Sequence, residues 1–233
     1  MNNIKIKLSN DKIFSNNKFP DMYSETILNF NEPVNVLRQN KFEVKNNISP
    51  VTTLKCILDN YSADKKIIAL NFANAMYAGG GYILGGSAQE ESLCRASMLY
   101  YTIKTQKRFY IKNRLHILPD YTDTMIYSHN VPLIRNENGE LLDKFISCDF
   151  ITCPAVNRTF AKFIFSDKNI NNKMSVRIKR IISLAVSENP DIIILGAFGC
   201  GAFGNKRETI YKIFEDTINA YIPDNIKVIF AVV

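Results

Sequence analysis

Apolar runs and apolar stripes with helical spacing alternate along this chain. Continuous apolar runs predict buried strands at 67–72, 191–195 and 226–233. Apolar residues spaced three and four apart predict helices over 50–61, 88–105, 174–186 and 207–220. Shorter segments predict strands at 4–8, 42–44, 125–128 and 150–152, a short helix near 24–28, and an exposed loop over 157–173. Strands that alternate with helices in this way are typical of an α/β fold.

The length and the apolar content favour a single domain. The chain has 233 residues, of which 46% are hydrophobic, and no segment approaches the roughly 18 apolar residues of a membrane span. Residues 1–45 read as an N-terminal extension, with a mostly irregular part rich in asparagine. The first residues lack the apolar core of a signal peptide, so we expect a cytoplasmic location and no membrane partner. We also expect a monomer.

The charge and the cysteines narrow the class of protein. A net charge of +7 favours polyanionic partners, such as nucleic acid or a phosphate-rich polymer, but a basic soluble enzyme explains it equally well. The basic stretch 104–114 reads either as a nucleic-acid patch or as a solvated helix end. Five cysteines without a C-x-x-C pair and two scattered histidines argue against a zinc site and a disulfide framework. We therefore expect neither a metal nor a cofactor.

Half of the ten glycines lie in one short stretch that follows the strand at 67–72. They are Gly79, Gly80, Gly81, Gly85 and Gly86. Glycine adopts positive φ freely and lets another group approach the backbone closely. The stretch predicts a loop, which we call the first glycine loop (residues 79–86), that contacts a ligand.

Two adjacent glutamates begin the helix after this loop. Ser87 and Glu90 have the spacing of a capping box, which would give Glu90 a structural role. Successive helical residues point about 100° apart, so Glu91 cannot act from the same direction as Glu90. Glu91 beside a glycine-lined cavity is the better candidate for chemistry, although a solvated glutamate in a first helical turn is a common alternative.

A second glycine loop (residues 199–204) follows the strand at 191–195 and precedes a helix that Asn205 is expected to cap. Backbone N–H groups and a positive helix end then point at one place, which predicts an anion site. Gly199, Gly201 and Gly204 match the dinucleotide fingerprint, but the next strand lacks its acidic residue. We interpret the loop as a phosphate cradle. Cys200 lies between two of these glycines, and no histidine is placed to make it a nucleophile.

The segments 71–75, 79–81 and 89–91, which read Asn-Phe-Ala-Asn-Ala, Gly-Gly-Gly and Gln-Glu-Glu, resemble a family signature. It is that of the microbial-type poly(ADP-ribose) glycohydrolases, which are macrodomain-fold enzymes. The resemblance continues through 23–26, 93–100, 126–128, 151–155 and 195–204, and so covers nearly the whole chain from about residue 20. It implies a three-layer α/β/α macrodomain-like fold with a mixed central sheet.

The resemblance also implies a reaction and its residues. The family hydrolyses the ribose–ribose O-glycosidic bond of poly(ADP-ribose), here expected in exo mode, and releases ADP-ribose. Glu91 matches the catalytic acid, and Glu90 matches the neighbour that holds the distal ribose hydroxyl. The substrate-binding residues are expected to be Asn74, Gly79, Gly80, Gly81, Gln89, Gly199, Cys200, Gly201, Ala202, Phe203 and Gly204. Among them, Asn74 is expected to contact a ribose, residues 199–204 to bind the diphosphate, and Phe203 to orient the distal ribose.

Two alternatives stay open. The same site could act on ADP-ribosylated protein or on a modified nucleic-acid base, which the +7 charge favours. The chain could instead be an ADP-ribose-binding module without catalysis. A pure binding module has no need of Gln89, Glu90 and Glu91, so their presence favours an enzyme.

Overall fold

A computed structural model describes residues 2–36 and 38–233. In these residues eight helices and seven strands follow one another along the chain. The helices are α1 (Asn3–Asn16), α2 (Thr53–Asn60), α3 (Gln89–Ala96), α4 (Leu99–Ile103), α5 (Lys107–Leu115), α6 (Arg158–Ala161), α7 (Asp167–Ser187) and α8 (Arg207–Tyr221). The strands are β1 (Tyr23–Ile27), β2 (Ile48–Ser49), β3 (Ile67–Phe72), β4 (Met125–Arg135), β5 (Leu141–Cys153), β6 (Ile192–Leu195) and β7 (Lys227–Ala231).

The strands form one mixed sheet in the order β1-β4-β5-β3-β6-β7-β2. β1, β4 and β5 are antiparallel neighbours, whereas β5, β3, β6, β7 and β2 run parallel to one another. β3 and β6 are adjacent, and each is followed by one of the two glycine loops. Because parallel strands present their carboxyl ends at the same edge, the topology brings both loops to one place.

Apolar residues cover both faces of the sheet. One core packs α7 and α8 against the sheet, and the other packs α2, α3, α4 and α5 against its opposite face. All four residues of β6 and the first five of β3 are buried, as expected for strands covered on both sides. The predicted three-layer α/β/α arrangement with a mixed sheet is confirmed.

The predicted helix over 88–105 is interrupted. α3 ends at Ala96 and α4 begins at Leu99. The hydroxyl of the buried Ser97 donates a hydrogen bond to the Leu93 carbonyl and accepts one from the Leu99 N–H. A serine that bonds to the backbone in this way competes with the helical ladder, which explains the break. The basic stretch 104–114 lies mostly in a separate helix, α5.

Three predictions for the N-terminal part were wrong. Residues 4–8 belong to α1, which the Asn2 side chain caps by accepting from the Ile4 N–H. Residues 23–27 form β1, which pairs with β4, and not a helix. The segment 42–44 forms no strand, because the N–H groups of Phe42 and Val44 donate to side chains of α8. That residues 1–45 form an extension to a single domain stays a prediction, although this part supplies a strand to the sheet.

The predicted loop over 157–173 was also wrong in large part. It contains α6 and the first turns of α7, where the Ser166 hydroxyl accepts from the Asn169 N–H. Among the described residues, none of the helices is long and apolar enough to cross a membrane.

Candidate active site

A cavity of about 750 Å³ lies at the carboxyl ends of β3 and β6, and residues 199–203 of the second glycine loop line it. Residues 79–86 of the first glycine loop, the predicted contacts Gly79, Gly80 and Gly81 included, do not line it. The first loop reaches the cavity wall through Glu91, which accepts from the Gly81 N–H. The start of α3, the start of α2 and the turn between β4 and β5 complete the wall. Both predicted catalytic glutamates, Glu90 and Glu91, lie in this wall. A concave site of this size at the carboxyl ends of parallel strands suits a ligand of nucleotide size.

Glu90 points into the protein. Its Oε2 accepts from the Asn74 N–H at 2.7 Å, its Oε1 accepts from Asn71 Nδ2 at 3.2 Å, and only 3% of the residue is exposed. Burial raises its pKa to about 8, against the lowering effect of these hydrogen bonds. The predicted capping box was wrong. The N-cap residue of α3 is Ala88 and not Ser87, and the Glu90 side chain contacts the end of β3 instead.

The Asn71 side chain has an oxygen that suits a protonated Glu90. Asn71 Oδ1 is buried and has no hydrogen-bond partner within the described residues. Its Nδ2 contacts Glu90 and Thr152 Oγ1. Turning the amide by 180° would offer Oδ1 to a proton on Glu90, while the Thr152 hydroxyl could donate to the same oxygen. The site therefore accommodates Glu90 in its neutral form.

Glu91 points toward the first glycine loop. Its Oε1 accepts from the Gly81 N–H at 2.8 Å. Its Oε2 is buried and has no hydrogen-bond partner within residues 2–36 and 38–233. A buried polar atom without a partner is unfavourable in the empty protein, so a ligand that supplies the missing contact would be bound favourably there.

Gly80 separates the two carboxylates. A Cβ at this position would lie 2.5 Å from Glu91 Oε1 and 3.2 Å from Glu90 Oε2, and the residue has a φ of +54°. The sequence predicts that the two glutamates act from different directions, and their hydrogen-bond partners do differ. Both carboxylates nevertheless reach the same glycine, so they can act on neighbouring atoms of one ligand.

Asn74 and Gln89 line the cavity and also hold its wall together. The Asn74 side-chain oxygen accepts from the N–H groups of Met76 and Tyr77, which fixes the turn that leads to the first glycine loop. The Gln89 side chain accepts from the Phe72 N–H and donates to the Leu70 carbonyl, which ties α3 to the end of β3. These bonds give Gln89 a structural role beside its predicted contact with substrate.

The second glycine loop combines a fixed base with an open tip. At Gly199, which has a φ of +71°, a Cβ would lie 2.5 Å from Ala155 Cβ. The prediction that Asn205 caps α8 was wrong. Its buried amide donates instead to the carbonyls of Val156 and Gly199. At Gly201, by contrast, a Cβ would meet nothing within 4 Å. The loop therefore leaves its backbone accessible at the tip.

All residues of this loop except Gly204 line the cavity. Cys200, Ala202 and Phe203 line it together with Gly199 and Gly201. Burial raises the pKa of the Cys200 thiol to about 11, so the thiol is protonated at neutral pH. The two histidines do not line the cavity and bond instead to Asp120 and Glu25. This geometry agrees with the expectation that Cys200 is not a nucleophile.

The sequence reasoning missed a brace behind the first glycine loop. Asn3 Nδ2 donates to the Gly85 carbonyl at 2.9 Å. Asn10 is fully buried, and its Nδ2 donates to the Arg95 carbonyl at 2.9 Å while its Oδ1 accepts from Arg135 Nε at 2.9 Å. α1 thus joins the loop, α3 and the β4–β5 hairpin. Reading residues 3–16 with helical spacing would have placed Ile6 and Asn10 on one buried face.

One group of possible metal-binding side chains lies outside the cavity. Within the described part of the chain, His129, Asp149 and Glu188 place ligand atoms within 4.8 Å of one another. The Lys66 ammonium group already lies 3.4 Å from Asp149 and 3.0 Å from Glu188. A cation beside both carboxylates disfavours a metal ion there, and metal independence of the cavity stays a prediction.

Comparison with known proteins agrees with this geometry. Residues 2–136 match the family described as the microbial-type PARG catalytic domain, where PARG is poly(ADP-ribose) glycohydrolase. A comparison with curated proteins finds no match.

Two solved structures illustrate the likeness. PARG from Thermomonospora curvata, bound to the inhibitor ADP-HPD, aligns with a TM-score of 0.80 at 23% identity over 99% of this chain and 92% of that one. PARG from Deinococcus radiodurans, in complex with ADP-ribose, aligns with a TM-score of 0.72 at 30% identity over 80% of this chain and 76% of that one. The predicted macrodomain-like fold and the predicted family are both confirmed. The chain belongs to the microbial-type poly(ADP-ribose) glycohydrolases, a family of glycosidases.

Proposed function

We propose that this protein hydrolyses the ribose–ribose O-glycosidic bonds of poly(ADP-ribose) from the chain end and releases ADP-ribose, with Glu91 as general acid and base. The observation that carries the proposal is Glu91 Oε2, which is buried and without a hydrogen-bond partner among the described residues, on a side chain that lines the same cavity as the second glycine loop. It is supported by membership of the family and by the likeness to a PARG structure in complex with ADP-ribose.

The bond is cleaved with the help of one proton. Glu91 gives a proton to the bridging oxygen as the bond from the anomeric carbon to that oxygen breaks, and the bonding electron pair leaves with the oxygen. The sugar becomes oxocarbenium-like, and a water molecule adds to the anomeric carbon. The water's proton returns to the Glu91 carboxylate, which is thereby ready for the next cycle.

Glu90 acts beside this step by holding the distal ribose. With a pKa of about 8, caused by burial, Glu90 is mostly protonated at neutral pH. It can then accept from one ribose hydroxyl without adding a full negative charge next to the Glu91 carboxyl group. Its bond to the Asn74 N–H keeps the ribose-binding turn in position.

The second glycine loop holds the diphosphate. The backbone N–H groups of residues 201–203, aided by the positive end of α8, suit an anion that approaches the open side of Gly201, whereas those of Cys200 and Gly204 already donate to backbone carbonyls. Phe203 and Asn74, which both line the cavity, would orient the distal ribose. The bound diphosphate would in turn stabilise the developing positive charge on the sugar.

We propose exo cleavage on the basis of the size of the cavity. A volume of about 750 Å³ lies in the range of pockets that hold one small-molecule ligand, which agrees with a single ADP-ribose unit. Release of single ADP-ribose units, rather than of short chains, is therefore the product pattern that we expect.

Three further expectations belong to the same proposal. Hydrolysis proceeds without a metal, so EDTA should leave the rate unchanged. The protein acts as a monomer. Its location is the cytoplasm, since all five cysteines are free thiols, which is typical of a reducing compartment.

The test is Glu91→Gln, measured by the release of free ADP-ribose from automodified poly(ADP-ribosyl) protein. Loss of a general acid should lower kcat by about 10²- to 10⁴-fold, while the Kd for ADP-ribose changes little. Glu208→Gln is the matched control, because Glu208 is an exposed glutamate in the first turn of α8. Near-wild-type turnover of Glu91→Gln would remove Glu91 from the acid role.

The net charge of +7 supports a second candidate substrate, an ADP-ribosylated nucleic acid. Release of ADP-ribose from modified DNA, without release from the polymer, would favour it. Tight ADP-ribose binding without release from polymer, protein or DNA would instead identify a binding module.

A further inference from the structure

A short helical turn beside the second glycine loop exposes three large apolar side chains. It consists of α6 and the residues that follow it, 158–165. Phe160, Phe163 and Ile164 are 61%, 78% and 56% exposed. Their spacing of three and four residues places them on one face of the turn. An exposed apolar cluster of this kind commonly marks a contact surface.

This turn is attached to the wall of the cavity. The Thr159 N–H donates to the Phe203 carbonyl at 3.2 Å, and the Thr159 hydroxyl donates to the Ala202 carbonyl at 3.2 Å. Phe203 and Ala202 line the cavity. A ligand that leaves the cavity past Phe203 would therefore meet the exposed aromatic side chains next.

Basic side chains accompany the aromatic ones. The Lys162 ammonium group lies 5.1 Å from the centre of the Phe163 ring. Within the described part of the chain, Lys162, Lys168 and Arg207 form no ion pair, whereas Asp167 is shared by Arg158 and Lys206. The surface thus offers aromatic faces and uncompensated cations together.

We propose that Phe160, Phe163 and Lys162, which we call the aromatic-basic turn, bind the adenine and diphosphate of the polymer unit on the far side of the scissile bond. Bases of single-stranded nucleic acids stack on exposed aromatic side chains, and cations beside them hold the phosphates. Poly(ADP-ribose) carries an adenine and a diphosphate in every unit, so it matches both features. The inference rests on the proposed function, and it adds a second subsite outside the cavity.

The hydrogen bond between the aromatic-basic turn and Phe203 favours the polymer over a lipid surface as the ligand of this turn. Phe203 is proposed to orient the ribose whose glycosidic bond breaks, so the turn bonded to it lies toward the leaving unit. A lipid surface would also accept exposed phenylalanine and lysine. Such a surface would not need a position at the rim of a nucleotide cavity, so the polymer is the occupant that we favour.

The test measures binding of labelled poly(ADP-ribose) in the Glu91→Gln background, where hydrolysis is slow. Adding Phe160→Ala and Phe163→Ala should weaken binding of long polymer by about 5- to 100-fold. The affinity for free ADP-ribose should stay unchanged, because the cavity is intact. Phe160→Tyr with Phe163→Tyr should restore polymer binding, since tyrosine also stacks.

Leu115→Ala with Ile117→Ala is the matched control. Leu115 and Ile117 are 78% and 91% exposed and do not line the cavity. Their removal should leave polymer affinity unchanged. Lys162→Glu provides an independent check, because it should weaken polymer binding and reduce its dependence on salt even if the phenylalanine variants fold poorly.

Unchanged polymer affinity in the double phenylalanine variant and in Lys162→Glu would overturn the inference. Loss of binding to vesicles of phosphatidylcholine and phosphatidylserine, with polymer affinity unchanged, would assign the turn to a lipid surface instead. Weakened polymer binding in a protein whose wild type releases no ADP-ribose would uphold the subsite and reject the proposed hydrolysis. The two proposals can therefore fail separately.

Discussion

The two glycine loops use glycine for opposite reasons. In the first loop, a Cβ at Gly80 would strike the protein's own carboxylate, 2.5 Å from Glu91 Oε1. In the second loop, a Cβ at Gly201 would meet nothing within 4 Å. Gly80 makes room for the Glu91 side chain, and Gly201 borders open space, where we propose that the ligand binds.

This difference teaches that a glycine-rich loop is not by itself a phosphate site. The first loop packs its backbone around Glu91, and its Gly81 N–H donates to that carboxylate. The second loop is fixed at its base, where Gly199 and Asn205 are in contact, and open at its tip. Substitutions in the two loops should therefore change different quantities, turnover in one and affinity in the other.

The largest effect is expected for Gly80→Ala. The new Cβ would displace the Glu91 carboxylate, and a misplacement of about 1 Å can lower a rate by about 10²-fold. We expect kcat to fall at least that far while ADP-ribose still binds. Gly85→Ala is the matched control, because Gly85 also has a positive φ (+84°) but its Cβ would lie 3.6 Å from the nearest atom. Equal losses in both variants would attribute the effect to backbone strain alone.

The next largest effect is expected for Gly201→Val. A valine side chain has room at Gly201, so the thermal midpoint should change little, but it would occupy the space from which the diphosphate is proposed to approach. We expect the Kd for ADP-ribose, measured by calorimetry, to rise about tenfold or more, with Gly201→Ala intermediate. Unchanged affinity in both variants would place the phosphate cradle elsewhere.

A smaller effect on turnover is expected for Asn10→Ala, which removes the brace behind the first loop. Arg135 Nε and the Arg95 carbonyl would each lose a buried partner, at a cost of about 1–3 kcal/mol in the free energy of unfolding. Urea unfolding and kcat should both be measured. If kcat falls a few-fold and ADP-ribose affinity stays constant, α1 supports the first loop and not the second. Ser15→Ala is a control, because Ser15 is an exposed residue of α1 whose hydroxyl bonds within the helix.

The last prediction concerns stability alone and depends on the titration of Glu90. Its pKa is about 8 in the folded protein, because of burial, and about 4.3 in an unfolded chain. Between these values the folded state binds more protons, so the free energy of unfolding should fall as pH rises from about 5 to 8 and level off above.

Glu90→Gln removes this titration, and the rotated Asn71 amide can accommodate the new side chain. Urea unfolding at pH 6 and pH 9 should show a smaller pH dependence in the variant than in the wild type. Parallel curves for the two proteins would mean that Glu90 does not titrate in this range.

The sequence predicted the parts of the fold that depend on continuous apolar runs. β3 and β6 lie where uninterrupted apolar residues predicted them, because burial on both faces leaves no ambiguity of pattern. Residues 4–8 were misread as a strand, because Ile4, Ile6 and Leu8 alternate with polar residues. In α1 the buried face includes Ile6 and Asn10. Because Asn10 is polar, the helical spacing of apolar residues is not visible in the sequence.

The sequence also predicted several residues that line the cavity, but not how each is held. Asn74, Gln89, Glu90, Glu91 and residues 199–203 line it, whereas Gly79, Gly80, Gly81 and Gly204 do not. Spacing alone made Glu90 a helix cap, because a capping box depends only on local sequence. Its actual partners are the Asn71 side chain, 19 residues earlier in β3, and the Asn74 N–H, 16 residues earlier in the turn after β3. Such contacts are set by tertiary packing. Only the structure could show that Glu91 keeps one oxygen free.

The pairing of β2 with β7 has a consequence for how the protein is made. Ile48 and Ser49 lie beside Phe230 and Ala231, so the first pair waits for a segment that is synthesised about 180 residues later. Contacts between such distant segments form late in folding. Residues 52–54 and 231–233 both line the cavity, which stays incomplete until both are in place. A nascent chain on the ribosome should therefore be unable to bind ADP-ribose until residues 231–233 have emerged.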